Sequence, residues 1–238
     1  MHITPEDHAR IAEAIAKAEQ NTAGEISVVL APEVSDYRET PLAWAAGAAL
    51  VLPAIGLFLG FRPQTLTQLL GGWTVGHAAA MGPTVFWALS TYVVLQAIVF
   101  IATALLVSIP PVKRALTPKA VKAERVHDAA LQQFVSKSLH TTSARTGVLL
   151  FVALAEHRAE VIADEGIYAV APHEVWDSVV ARLVDGVKRG RLADGLVAAI
   201  ERAGEILAEH VPATGENPNE TPDELTILPP KPPRKKKP

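Results

Sequence analysis

Residues 147–155 read Gly-Val-Leu-Leu-Phe-Val-Ala-Leu-Ala, a run without the polar alternation of a half-solvated strand. Such a run predicts a central β-strand covered on both faces. Glu156-His157-Arg158 then predicts a tight polar turn, and Glu160-Val161-Ile162-Ala163 the return strand of a hairpin. Upstream, Val121 to Leu139 carries Val126, Ala130 and Phe134 on one helical face. Downstream, Pro172 opens a helix with Trp176, Val180, Leu183 and Val187 at helical spacing, and Gly190 interrupts it. Leu192 to Glu209 follows, with Leu196, Ile200, Ala203 and Leu207 aligned.

The first forty residues hold two more elements. Thr4-Pro5-Glu6-Asp7 has a hydroxyl for the N-cap, proline at the first helical position and acids at the positive end of the helix dipole. Ile11, Ala14, Ile15 and Ala18 give that helix an apolar face, and Glu25-Ile26-Ser27-Val28-Val29-Leu30 predicts a short strand. One helix and one strand cannot bury a core alone. With the later elements they predict a single layered α/β domain, in two parts over residues 1–40 and 113–211.

Residues 41–112 separate those parts. Between Pro41 and Val112 the only formally charged residue is Arg62. Two apolar stretches, about 42–61 and 84–109, each reach the ~20 residues needed to cross a hydrocarbon core. They predict a two-helix transmembrane hairpin, with Pro53 tolerated inside the first span and Trp44 and Trp87 near span ends. Lys113, Arg114, Lys119, Lys122 and Arg125 follow the second span, against Arg62 alone in the 62–83 connector. The positive-inside rule then places both flanks in the cytoplasm. A packed or interfacial role is expected for His77 in the connector, because no second ligand accompanies it.

Lys and Arg total 22 against 25 Asp and Glu, which gives no basic surface for nucleic acid. Cysteine is absent, which excludes disulfides, thiol catalysis and cysteine-ligated metals. Eight of the eighteen prolines fall in residues 212–238, so this segment is expected to be a disordered tail. Its end, PPKPPRKKKP, packs five basic residues into ten and suits anionic lipid headgroups or a protein groove that takes polyproline II.

The segments TAGEISVVL (22–30), RTGVLLFVALAEHRAEVIADEGI (145–167) and RGRLADGLVAAIERAGEIL (189–207) resemble the TPM domain family, in its bacterial membrane-protein branch. The resemblance implies a three-layer α/β/α domain around a small mixed sheet, in a bacterial inner-membrane protein. It also implies that acid phosphatase activity and divalent-cation binding occur among relatives. Many members carry G-Y-G-L-E-G-x-L-P-D after the strand pair. Here residues 164–173 are DEGIYAVAPH, with Gly166 alone remaining of the glycines and His173 standing where the aspartate would be.

The densest polar group is Asp164, Glu165, His173, Glu174 and Asp177. Carboxylates of Asp164, Glu165 and Asp177 are the oxygen ligands that Mg²⁺ or Ca²⁺ takes. Asp164, Glu165 and His173 are the candidate catalytic residues, His173 as proton carrier near neutral pH. The alternative is structural: Glu174 and Asp177 complement a helix dipole and Asp164 ends a strand. Glu25 approaches this group if the strands align. Two functions follow, an interaction or assembly module anchored in the lipid bilayer, and a membrane-bound, metal-assisted phosphomonoester hydrolase.

Overall fold

The computed structural model describes residues 3–60, 81–142, 145–213 and 219–229. The chain divides into two compact units, residues 1–36 with 119–238, and residues 37–118. The connector residues 61–80, with His77, and the basic residues 230–238 lie outside the described residues.

In the first unit, α1 (Pro5–Glu19) begins with a reciprocal cap. The Asp7 N–H donates to the Thr4 hydroxyl at 3.2 Å, and the Thr4 N–H donates to the Asp7 carboxylate at 3.0 Å. β1 (Glu25–Ala31) follows, and its partners come from far along the chain. β2 (Gly147–Ala153) pairs with it in parallel, Glu25 opposite Gly147 and Ala31 opposite Ala153. β3 (Arg158–Ala163) returns antiparallel to β2. The sheet has the order β3-β2-β1-β4.

The fourth strand corrects the sequence reading. β4 (Leu225–Ile227) lies inside the segment expected to be disordered from residue 212 onward, and pairs in parallel with β1 through Val28 and Leu225. Three residues among prolines carry no periodic signal; the free edge of β1 supplies the pairing that the local sequence does not announce.

Alternate residues of the strands face opposite layers. Ile26, Val28, Leu30, Val148, Leu150 and Val152 join a core with Ile11 and Ile15 of α1. Leu183 of α7 (Asp177–Lys188) and Leu196 and Ile200 of α8 (Leu192–His210) complete that side. Val29, Leu149, Phe151 and Ile162 face Val126, Ala130 and Phe134 of α5 (Lys119–Ser136) on the other. The result is the three-layer α/β/α arrangement around a small mixed sheet. The helix expected from Pro172 begins as a 3-10 turn at His173–Trp176, so α7 starts at Asp177 and buries Val179 and Leu183. Trp176 is buried in the first core.

In the second unit, α2 (Glu39–Phe58) and α3 (Met81–Ser108) pack against each other, and α4 (Pro110–Leu116) follows. Both long helices begin three residues before the spans expected at 42 and 84. Pro41, Ala45, Ala49 and Pro53 form the buried face of α2, one small or rigid residue per turn. Small residues at that spacing let helix backbones approach closely. The other faces of α2 and α3 leave Leu50, Leu52, Ile55, Ile98, Leu105 and Leu106 exposed. The Trp44 indole N–H donates to the Leu116 carbonyl at 3.2 Å.

Gly204 marks the closest approach of α8 to α1: a Cβ there would stand 2.6 Å from the Ala18 Cβ. Gly204→Val should therefore destabilise the protein by about 1–3 kcal/mol through overpacking, read as a lower denaturant midpoint at unchanged slope.

Candidate functional site

Parallel pairing sets Glu25 beside Gly147, and the Asp164 N–H donates to the Gly147 carbonyl at 2.9 Å. Glu25 and Asp164 thus flank Gly147 at one end of the sheet. Glycine is required between them, because a Cβ at 147 would come 2.5 Å from the Leu139 carbonyl oxygen. Both carboxylates are buried, Glu25 at 2% exposed and Asp164 at 5%.

Asp164 caps the short helix α6 (Glu165–Tyr168), its Oδ1 accepting the Glu165 N–H at 2.7 Å. Its buried Oδ2 has no hydrogen-bond partner among the described residues. The Arg145 guanidinium lies 3.8 Å from that oxygen and 3.1 Å from Glu165 Oε2. Arg145 adopts the left-handed backbone region, φ 53°, where the chain turns into β2. Glu25 is held differently: its Oε2 accepts the Thr221 N–H at 3.2 Å and the Thr221 hydroxyl at 2.8 Å. Its Oε1 is buried with no hydrogen-bond partner among the described residues. Burial pushes the Glu25 carboxyl above the usual range, and the Thr221 bonds oppose that shift.

His173 is exposed and stacks on Tyr168, ring centroids 4.3 Å apart. The Tyr168 hydroxyl in turn accepts the Ala163 N–H at 3.3 Å. Asp177 is exposed in the first turn of α7, as is Glu174 just before it. Arg145 therefore gathers Asp164 and Glu165, while His173 is stationed on an aromatic ring and Asp177 on a helix start. Among the described residues no three His, Asp or Glu side chains converge as a metal ion requires. A guanidinium against two carboxylates is a poor donor set for Mg²⁺ or Ca²⁺, which take six or more oxygens.

Two buried acids escape the sequence reading. Glu156, expected on a tight polar turn, is buried and accepts the Val34 N–H at 3.2 Å. Glu19 ends α1 facing inward, where it accepts the Ile26 N–H at 2.6 Å. Burial pushes its carboxyl up to about 8, with Glu25 and Asp223 adding to the rise. Neither position breaks the apolar spacing of its element, so periodicity gives no signal for them.

A mixed four-stranded sheet between helical layers, with acids at one strand end, is the architecture these elements define. Residues 114–206 match the family model of the TPM domain. That segment is similar to the TPM domain, in line with the resemblance carried by the sequence. Among solved structures it is similar to the NMR structure of the BA42 protein from the psychrophilic bacterium Bizionia argentinensis. The two share 19% identity and a TM-score of 0.54 over 96% of this chain and 97% of that one, a likeness of fold alone. No curated protein matches the chain.

Removing the Asp164 cap and the exposed Arg145 pair should have unequal effects. Asp164→Ala is expected to cost about 0.5–2 kcal/mol through loss of its cap. Arg145→Ala is expected to cost at most about 1 kcal/mol, because its charge is solvent-screened. Denaturant unfolding of both variants under one set of conditions checks the order.

Proposed function

We propose that this protein is a membrane-anchored TPM domain that serves as an interaction or assembly module on the cytoplasmic side of a bacterial inner membrane. The observation that carries the reading is the employment of the candidate catalytic groups in structure. Asp164 caps a helix, Glu165 pairs with Arg145, and His173 stacks on Tyr168. Anchoring is supported by two helices long and apolar enough to cross a membrane. Their partner is then the lipid bilayer, and the basic C-terminal sequence suits anionic headgroups or a protein groove. Orientation rests on the Lys and Arg that follow the second span.

A phosphomonoester hydrolase is the second reading. It is favoured by Asp164 Oδ2 and Glu25 Oε1, two buried oxygens at one sheet end that have no hydrogen-bond partner among the described residues. Such groups are costly and collect at functional sites.

Turnover of a generic phosphomonoester separates the two readings. Detergent-purified protein, Asp164→Asn and His173→Ala should be compared with and without Mg²⁺ or Ca²⁺. The module predicts no turnover above either variant. Turnover lost in Asp164→Asn with folding intact would establish the hydrolase instead. A reporter fused after Pro238 should be active in the cytoplasm; periplasmic activity would reverse the topology.

A further inference from the structure

After α8 the chain crosses back to β1. The Thr22 hydroxyl donates to the Val211 carbonyl at 2.6 Å, and Thr22 bridges to Pro212. Residues 219–228 then run along the edge of β1. Thr221 holds Glu25 by its N–H and its hydroxyl. Leu225 is buried in the first core, Lys137 Nζ donates to the Thr226 hydroxyl at 2.7 Å, and the Leu228 N–H donates to the Leu30 carbonyl at 2.9 Å. The strand itself is only three residues long, so few contacts hold this segment down.

Its charges work against closure. Glu220, Asp223 and Glu224 lie on the segment, and Glu19 and Glu25 lie beneath it. Lys137, one residue beyond α5, brings a cation to it. Glu19 is buried and accepts the Ile26 N–H of β1, with Glu25 of β1 and Asp223 of the segment close enough to raise its carboxyl further. Like charges so near one another disfavour the ionised form. The Asp223 carboxylate is itself positioned by the Asn219 amide, 2.7 Å away.

We propose that residues 219–228 form a proton-sensitive strap, closed over the edge of β1 while Glu19 carries a proton and loosened when Glu19 ionises. The sign follows from Glu19 holding its proton up to about pH 8 in the closed form. The closed strap binds a proton that an open, solvated Glu19 releases at lower pH. Closure is therefore strongest in acid, weakens as pH rises toward about 8, and levels off above it. Opening bares the main chain of Val28–Leu30, the stretch that β4 covers, and releases Glu25 from Thr221. A bare strand edge is a template for pairing with another extended segment.

Hydrogen exchange on the full-length protein in detergent, corrected for intrinsic rates, tests the strap. Between pH 5.5 and 8.5 the Thr221 and Leu225–Leu228 amides should lose about fivefold or more of their protection, with the β2 amides unchanged. Glu19→Gln keeps a neutral side chain at that place and should abolish the change. Equal protection of the strap at both pH values, or the same loss in Glu19→Gln, would overturn the proposal. Should Glu19→Gln fail to fold, Asp223→Asn serves in its place: protection at pH 8.5 should then rise toward the pH 5.5 value, and an unaltered loss rejects the strap.

Discussion

The pairing of β1 with β2 governs the rest of the molecule. Every residue of β1 is buried, so its N–H and C=O groups have no water to turn to and must be satisfied by neighbouring strands. The strand that satisfies one side starts at Gly147, more than a hundred residues later in the chain. Whatever lies between has to bring the chain back to where it left. Between the two strands lie α2 and α3, which pack against each other as a unit of their own.

At one end of that sheet sit three buried acids, and the protein quiets each by a different device. Asp164 is turned into a helix cap with a guanidinium nearby. Glu25 accepts two hydrogen bonds from a threonine far along the sequence. Glu19 keeps its proton. Buried carboxylates without such compensation are strongly destabilising, and here the compensation is partial, since one oxygen of Glu25 and one of Asp164 go unbonded among the described residues. A module and a hydrolase both have uses for this polar end, which is why chemistry rather than fold separates them.

The layered fold was legible because periodicity reports burial. Ile11, Ala14 and Ile15 in α1, and Val126, Ala130 and Phe134 in α5, are buried where their spacing predicts. The same logic fails where burial is decided by distant chain. Leu225–Ile227 becomes a strand because an edge of β1 is there to receive it. The α7 stripe shifts to Val179 because a 3-10 turn delays the helix by several residues. In the site, Asp164 and Glu165 are neighbours in sequence and share Arg145, whereas His173 and Asp177, also near in sequence, are directed elsewhere by Tyr168 and a helix start. Sequence proximity suggested a cluster of five polar residues; backbone direction breaks it into smaller groups.

The long separation of β1 from β2 also sets an order of events during synthesis. At translation rates of about 5–20 residues per second, the β1 segment EISVVLA waits on the order of ten seconds before β2 is made. Throughout that interval it is an unpaired, β-prone, apolar strand. The helices α2 and α3 emerge within that interval, before any residue of β2. A chain whose synthesis is slowed between β1 and β2 would hold β1 exposed for longer, so the rate of elongation over residues 32–146 controls how safely the α/β domain is assembled.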